Sequence, residues 1–267
     1  MYCRSIARPC ANRSMAAVLA ALWCALGGCG GSTTAAPPTG STYTLMQMNL
    51  CLSGLAGCYG KVAYPAGVDE ALTKIEDVRP DAVTLNEVCR RDVERIARRA
   101  GYHVRFSRVV YGGKLLRCVQ PGGRGLFGNA ILTAAAIERT DNEDFEVQAG
   151  PERRRWLCVT TQDVDVCTAH LNTRSPSEVA GNDGQCAELA DILTRRAATG
   201  AVAFGGDVNR RRSCAPDHFW TRTDSAAGQA PGIQHVYGSA ELRSPKAEVL
   251  PATHSDHDVL MVRAEKR

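Results

Sequence analysis

Ala201-Val202-Ala203-Phe204-Gly205-Gly206-Asp207-Val208-Asn209 is an apolar run that closes on two glycines, a carboxylate and an amide. A short run of this kind, bounded by glycines, suits a buried strand. Asp207 and Asn209 are two apart, so in extended chain their side chains leave on the same side. The glycines let backbone approach a ligand closely, although an Asx-type turn uses the same residue types. Working outward, the same layout recurs. Leu45-Met46-Gln47-Met48 is followed by Asn49, Ala82-Val83-Thr84-Leu85 by Asn86-Glu87, and Val166-Cys167-Thr168-Ala169 by His170 and Asn172. Asp256-His257 stands before a last run, Val259-Leu260-Met261-Val262. A strand that leaves the core and ends in such a group delivers it to the rim of a rigid sheet, where preorganised chemistry is mounted. Several ends converging would offer carboxylates to a hard cation and imidazoles for proton handling or phosphate binding. The chain reads as an enzyme.

The N-terminal stretch is set apart from fold reasoning. Arg4, Arg8 and Arg13 precede an apolar run from Met15 to Leu26, the layout of an export signal too short to span a bilayer comfortably. Leu26-Gly27-Gly28-Cys29 resembles the cleavage box of bacterial lipoproteins, with Cys29 as the lipidated residue. Ordinary secretion with a chance cysteine, or a retained anchor, are the alternatives. Gly30 to Ser41 is rich in Gly, Ser, Thr, Ala and Pro, as a flexible tether should be. The expected organisation is a signal over 1–28, a linker over 29–42 and one catalytic domain over 43–267. It implies an extracytoplasmic monomer, secreted or touching the membrane through its lipid alone.

The formal charge of +4 overstates the mature protein, because removing three upstream arginines from 32 basic residues leaves 29 against 28 acidic. A dedicated nucleic-acid binder usually carries a clearer basic excess. Twelve cysteines suit export. Eight lie beyond Cys29: Cys51, Cys58, Cys89, Cys118, Cys158, Cys167, Cys186 and Cys214. None of these pairs has the C-x-x-C spacing of a thiolate metal site, so disulfides are the expected use, with the pairing open. Cys51 and Cys58 flank a small loop, and Cys158 and Cys167 fall on two arms of one hairpin. Cys89 with Cys118 and Cys186 with Cys214 complete the expected set.

Along the chain, strand-like runs alternate with a few helical patterns. Val68, Leu72, Ile75 and Val78 recur at helical spacing until Pro80 forces an end. Val93 to Ala100 and Cys186 to Ala197 read as further helices, and Cys214 to Trp220 as a short one. Strands outnumber helices, and no repeat or second domain boundary is evident. The expected fold is α/β: a four-layer α/β/β/α sandwich, two mixed β-sheets packed face to face with helices outside.

The order of these motifs resembles the endonuclease/exonuclease/phosphatase superfamily, from about Tyr43 to Ala264. Gly206-Asp207-Val208-Asn209, Ser255-Asp256-His257 and Asn86-Glu87 are its most specific pieces, with Met48-Asn49 and Ala169-His170-Leu171-Asn172 filling the remaining slots. The resemblance implies a divalent-metal-dependent phosphodiester hydrolase that uses in-line attack by a metal-site water, with nucleic acid as the leading substrate. Phospholipid, in the manner of sphingomyelinases, or a small phosphoester are the alternatives, as is a noncatalytic binding lipoprotein that keeps the fold. Glu87 is implied as the main ligand of Mg2+, with Mn2+ or Ca2+ as alternatives; Asn49 and Asp256 would assist. Asp207 would orient or deprotonate the attacking water, Asn209 grip the phosphate, and His257 and His170 serve phosphate oxygens. Asn129, Asn172 and Arg210 would contact substrate.

Two positions depart from the family's pattern. Gln234 stands where many members carry an acid that pairs with the terminal imidazole, and Asn129 stands near a glutamate position of the deoxyribonuclease-like members. The run Arg153 to Arg155 reads as solvated surface; Arg210 to Arg212, directly after Asn209, reads equally as surface or phosphate contact. Trp156, Trp220 and Tyr111 offer stacking faces, though core packing is commoner. Calcineurin-like metallophosphatases share a Gly-Asp step but need Asn-His and Gly-His-x-His steps that this sequence lacks.

Overall fold

Strand β1 (Ser41–Asn49) is buried on both faces from Leu45 onward, which is why Leu45, Met46 and Met48 follow one another closely with only Gln47 between them. The computed structural model, which describes residues 40–267, pairs β1 in parallel with β2 (Ala82–Cys89) and antiparallel with β15 (Val259–Lys266). A parallel neighbour requires a crossover, here the one-turn α1 (Tyr59–Val62) and the longer α2 (Ala66–Val78). Helix α2 stops at Arg79, a left-handed residue whose N–H caps the Ile75 carbonyl, directly before Pro80. Helix α3 (Arg90–Ala100) ends on Gly101 at φ 77° in the same way.

The first sheet adds β6 (Phe127–Thr133) and β3 (His103–Arg108) beyond β2, and β14 (Leu242–Leu250) beyond β15. The second sheet runs β12 (Trp220–Thr223), β13 (Gln234–Gly238), β11 (Ala201–Asp207), β10 (Val164–Ala169), β9 (Arg155–Thr161), β7 (Arg139–Asp144). A small third sheet joins β5 (Lys114–Leu115), β4 (Val110–Tyr111) and β8 (Glu152–Arg153). Helix α4 (Val179–Ala197) carries the chain from β10 to its parallel neighbour β11.

The alternation of side chains along each strand divides the core into layers. Leu45, Ile131, Val166, Ala203 and Leu260 meet between the large sheets. Their neighbours Met46, Leu85 and Leu132 face outward onto Leu72 and Ile75 of α2 and Val93 and Ile96 of α3. On the other side, Phe204 and the β9–β10 cysteines pack on Leu189 and Leu193 of α4. This is the expected sandwich.

Four disulfides join Cys51–Cys58, Cys89–Cys118, Cys158–Cys167 and Cys186–Cys214, the expected pairs. The expected helix from Cys214 to Trp220 is absent, and turns take its place. Cys214 is tied to α4 by its bridge, its N–H is spent on the Tyr237 hydroxyl, and Pro216 has no N–H to donate. The expected signal 1–28, Cys29 and the linker through residue 39 lie outside the described residues. Among the described helices, none is long and apolar enough to cross a membrane.

Candidate active site

Topology explains why distant motifs meet. Strands β1 and β2 are parallel, and so are β10 and β11, so each pair releases its polar residues at the same end. Asn49 lies opposite Asn86 in register, and His170 forms a parallel bridge with Asp207. Because β15 is antiparallel to β1, the residues that precede it, Asp256 and His257, arrive at that end too. Glu87, His170, Asp207, Asn209, Asp256 and His257 all line one cavity of about 630 Å³.

Glu87 reaches the cavity through a backbone irregularity. The β2–β6 register shifts between Leu85 and Val88, and Glu87 itself sits at φ 56°. A bulge re-aims a strand side chain, and a left-handed non-glycine residue stores strain of the kind that collects at functional sites. Asn209 is likewise left-handed, at φ 53°.

One amide joins the carboxylates. Asn49 Nδ2 donates to Glu87 Oε1 at 3.1 Å and to Asp207 Oδ2 at 3.0 Å, and its Oδ1 accepts from the Cys51 N–H, which fixes the amide's orientation. Asp207 also accepts from the Asn209 N–H at 2.9 Å, and its own N–H donates to Asn86 Oδ1. His257 Nε2 stands 3.6 Å from Asp207, and His170 Nε2 stands 3.9 Å from both Glu87 and Asp207. These are charge-range separations rather than hydrogen bonds. The buried Nδ1 of His257 and Oδ1 of Asp256 have no hydrogen-bond partner among the described residues.

Burial pushes Glu87 up to about 7, with the Asn49 donor opposing it and the neighbouring Asp207 and Asp256 adding to it. Burial also raises Asp207, against the pull of His257 and the Asn49 amide. Burial, then the charges of Arg154 and His257, hold His170 well below the usual imidazole range, so it is neutral at pH 7. Acids crowded at one cavity in this way, Asp207 buried and Glu87 half-buried, invite a cation.

Beneath the cavity the sheets are joined by an amide belt. Gln47 donates to Asn86 and Gln234, and Thr84 donates to Gln47. The glycine pair serves this packing: a Cβ at Gly205 would collide with Thr84 Oγ1 of the opposite sheet, and one at Gly206 with the Ala169 carbonyl. The close approach is therefore between backbone and neighbouring strands rather than backbone and ligand.

Several expected contacts lie elsewhere. Gln234 does not touch His257; its Nε2 donates to Asp224 and to the Asp258 carbonyl, because β13 points it into the belt. Asn129 accepts from Asn86 beneath the cavity, Asn172 is held by Gln185 and the Ala149 carbonyl, and Arg210 turns to Asn182 and Asp183 of α4. None of these three lines the cavity. Trp156 stacks under Arg196 and Trp220 donates to the Leu242 carbonyl, while Tyr111 does face the cavity. The reading of Arg153 to Arg155 as solvated surface fails at its centre. Arg153 and Arg155 both pair with Asp144, whereas Arg154, on the opposite side of the extended chain, is buried and lines the cavity. Strand alternation was the signal that could have separated them.

The Endonuclease/Exonuclease/phosphatase family profile matches residues 58–257. The chain belongs to this family and is thereby a phosphodiesterase- or phosphatase-type hydrolase of a group that typically uses divalent metals such as Mg2+. No curated protein matches the chain. Among solved structures it is similar to the endonuclease/exonuclease/phosphatase from Beutenbergia cavernae DSM 12333, at 18% identity and TM-score 0.65, covering 84% of this chain and 72% of that one. It is also similar to TDP2 from C. elegans, at 18% identity and TM-score 0.61, covering 84% and 75%. A third is D. rerio TDP2 complexed with single strand DNA product, at 14% identity and TM-score 0.56, covering 85% and 100%. At such identities the likeness is one of fold.

Proposed function

We propose that the protein is an exported, divalent-metal-dependent phosphodiester hydrolase whose substrate is nucleic acid. The observation that carries this reading is the meeting of Glu87 and Asp207, one from each sheet, on a single Asn49 amide nitrogen. The metal fits the donor set. Glu87 and Asp256 offer the oxygen ligands that a hard cation prefers, and Asp256 Oδ1 is buried without a partner. Asn49, expected as a further ligand, instead turns its nitrogen to the acids and its oxygen to the Cys51 N–H, so it positions Glu87. Cys51 and Cys58 lie near Glu87 but are joined to each other, so they add no thiolate. When bound, Mg2+ would neutralise charge on the attacked phosphate and the departing oxygen.

The chain's own residues supply the rest. Asp207, fixed by the Asn49 and Asn209 donors, orients a water and takes its proton. The water oxygen bonds to phosphorus, and the opposite ester oxygen leaves. His170 and His257 donate to the nonbridging oxygens, where charge grows in the transition state. Export, with a lipid at Cys29, belongs to the same reading. Four disulfides suit an oxidising compartment, and DNA is a substrate there.

One observation favours a second reading. The cavity is also lined by Leu55, Ala56, Tyr111, Leu116 and Phe127, which suits a phospholipid or another apolar phosphodiester. Plasmid nicking, sphingomyelin hydrolysis and inositol-phosphate hydrolysis, each with Mg2+ or Mn2+, separate the substrates. Turnover that survives Asp207→Ala would remove the mechanism.

A further inference from the structure

The cavity contains Glu87, Glu152, Asp207 and Asp256, and Arg154 is the one Lys or Arg among the described residues that line it. An anionic substrate entering there meets acids on several sides, and Arg154 is the permanent positive charge that the chain itself supplies. Arg154 as a whole residue is 6% exposed. Nη1 lies 2.8 Å from Glu152 Oε1, an ion pair, yet neither Nη1 nor Nε has a hydrogen-bond partner among the described residues. A buried guanidinium is stable only when paired and its N–H groups are satisfied. Here two of its donors, Nε and Nη1, are buried without a partner on a residue that lines the cavity.

The backbone beneath is held firmly. The Gln148 side chain accepts from the Arg154 N–H at 2.8 Å and donates to the Arg154 carbonyl at 2.9 Å, while the Phe145 N–H donates to the same carbonyl at 3.1 Å. A rigid support for a side chain with unused donors is the arrangement of a preorganised binding group. Planar guanidinium donors match phosphate oxygens.

We infer that Arg154 is a catalytic residue of this site, binding a nonbridging oxygen of the scissile phosphate and exchanging Glu152 for it when substrate enters. This rests on the hydrolase reading above. Glu152 then acts as a resting partner that competes with phosphate. A purely structural Arg154–Glu152 pair makes the opposite prediction, since cutting it could only weaken the site.

The test uses the full domain, Mg2+, bis(p-nitrophenyl) phosphate as substrate and inorganic phosphate as inhibitor. Arg154→Ala should lower kcat/KM about 10- to 100-fold and weaken phosphate inhibition by a similar factor. Added guanidinium ion should restore part of the rate, and Arg154→Lys should fall between. Glu152→Gln should tighten phosphate inhibition. A folded Arg154→Ala protein with unchanged kcat/KM and phosphate inhibition overturns the inference; so does Glu152→Gln that weakens phosphate. If Arg154→Ala fails to fold, Arg154→Lys and Glu152→Gln decide. Wild-type protein with no turnover on any phosphoester counts against the hydrolase reading instead, and phosphate binding by calorimetry in EDTA then tests Arg154 alone.

Discussion

Asn49 reaches across the sandwich to Asp207: its amide nitrogen, at the end of a first-sheet strand, donates at 3.0 Å to a carboxylate at the end of a second-sheet strand. The same nitrogen holds Glu87 at 3.1 Å. A buried carboxylate, Asp207, and a half-buried one, Glu87, are thus kept close by one donor.

Asn49→Ala removes both contacts and leaves the two acids facing each other. Stability should drop by about 1.5–3 kcal/mol, read by denaturant unfolding in EDTA. Part of that loss should return with Mg2+, because a cation replaces the missing donor. A loss that Mg2+ does not change would mean that the amide has no part in cation binding.

Divalent metal and pH should be linked through Glu87. Its folded value of about 7 lies above its unfolded 4.5, so the metal-free protein loses stability as pH rises from 4.5 through 7. Bound cation requires the deprotonated acid and reverses that loss. Thermal unfolding should therefore show a larger Mg2+-induced rise at pH 8 than at pH 5, about 5–10 °C at a hundredfold excess over Kd. Glu87→Gln should abolish it.

Much of this site is legible in the sequence because each polar group directly follows, or in Asp256 and His257 precedes, a strand long enough to recognise. The edge strands are a different matter. β7 reads Arg139-Thr140-Asp141-Asn142-Glu143-Asp144, with no apolar alternation, because it pairs on one side only and leaves much of its surface to water. β14 carries Pro245 within a register shift between Arg243 and Lys246, a position that only an edge strand tolerates. Arg154 and the Gln47–Asn86–Gln234 belt escaped for another reason. Which face a polar side chain takes is set by packing across the sheets, and the order of motifs carries no record of it.

Gln234 illustrates the point. Its amide donates to Asp224 and the Asp258 carbonyl and accepts from Gln47, so a carboxylate there would meet Asp224 with no counter-charge. Gln234→Glu should destabilise the fold by about 3–5 kcal/mol and should not raise turnover. A stable, faster variant would mean that the position governs His257 after all.

His235 offers an acid-limb test away from the cavity. Burial pulls it from 6.5 down to about 4, with Gly232 and Arg210 backbone contacts opposing. The unfolded chain takes up a proton below 6.5 while the folded one stays neutral until about 4, so stability is lost as pH falls across that window, by up to about 3 kcal/mol. Chemical denaturation at pH 7, 5.5 and 4 should follow this slope, and His235→Gln should flatten it.

Anomalous diffraction from crystals soaked in Mn2+ tests the central claim most directly. The account predicts a peak in the cavity at coordination distance from the Glu87 carboxylate, absent in Glu87→Gln crystals. A saturating soak that leaves the cavity without a peak, or binds the ion only elsewhere, would contradict it.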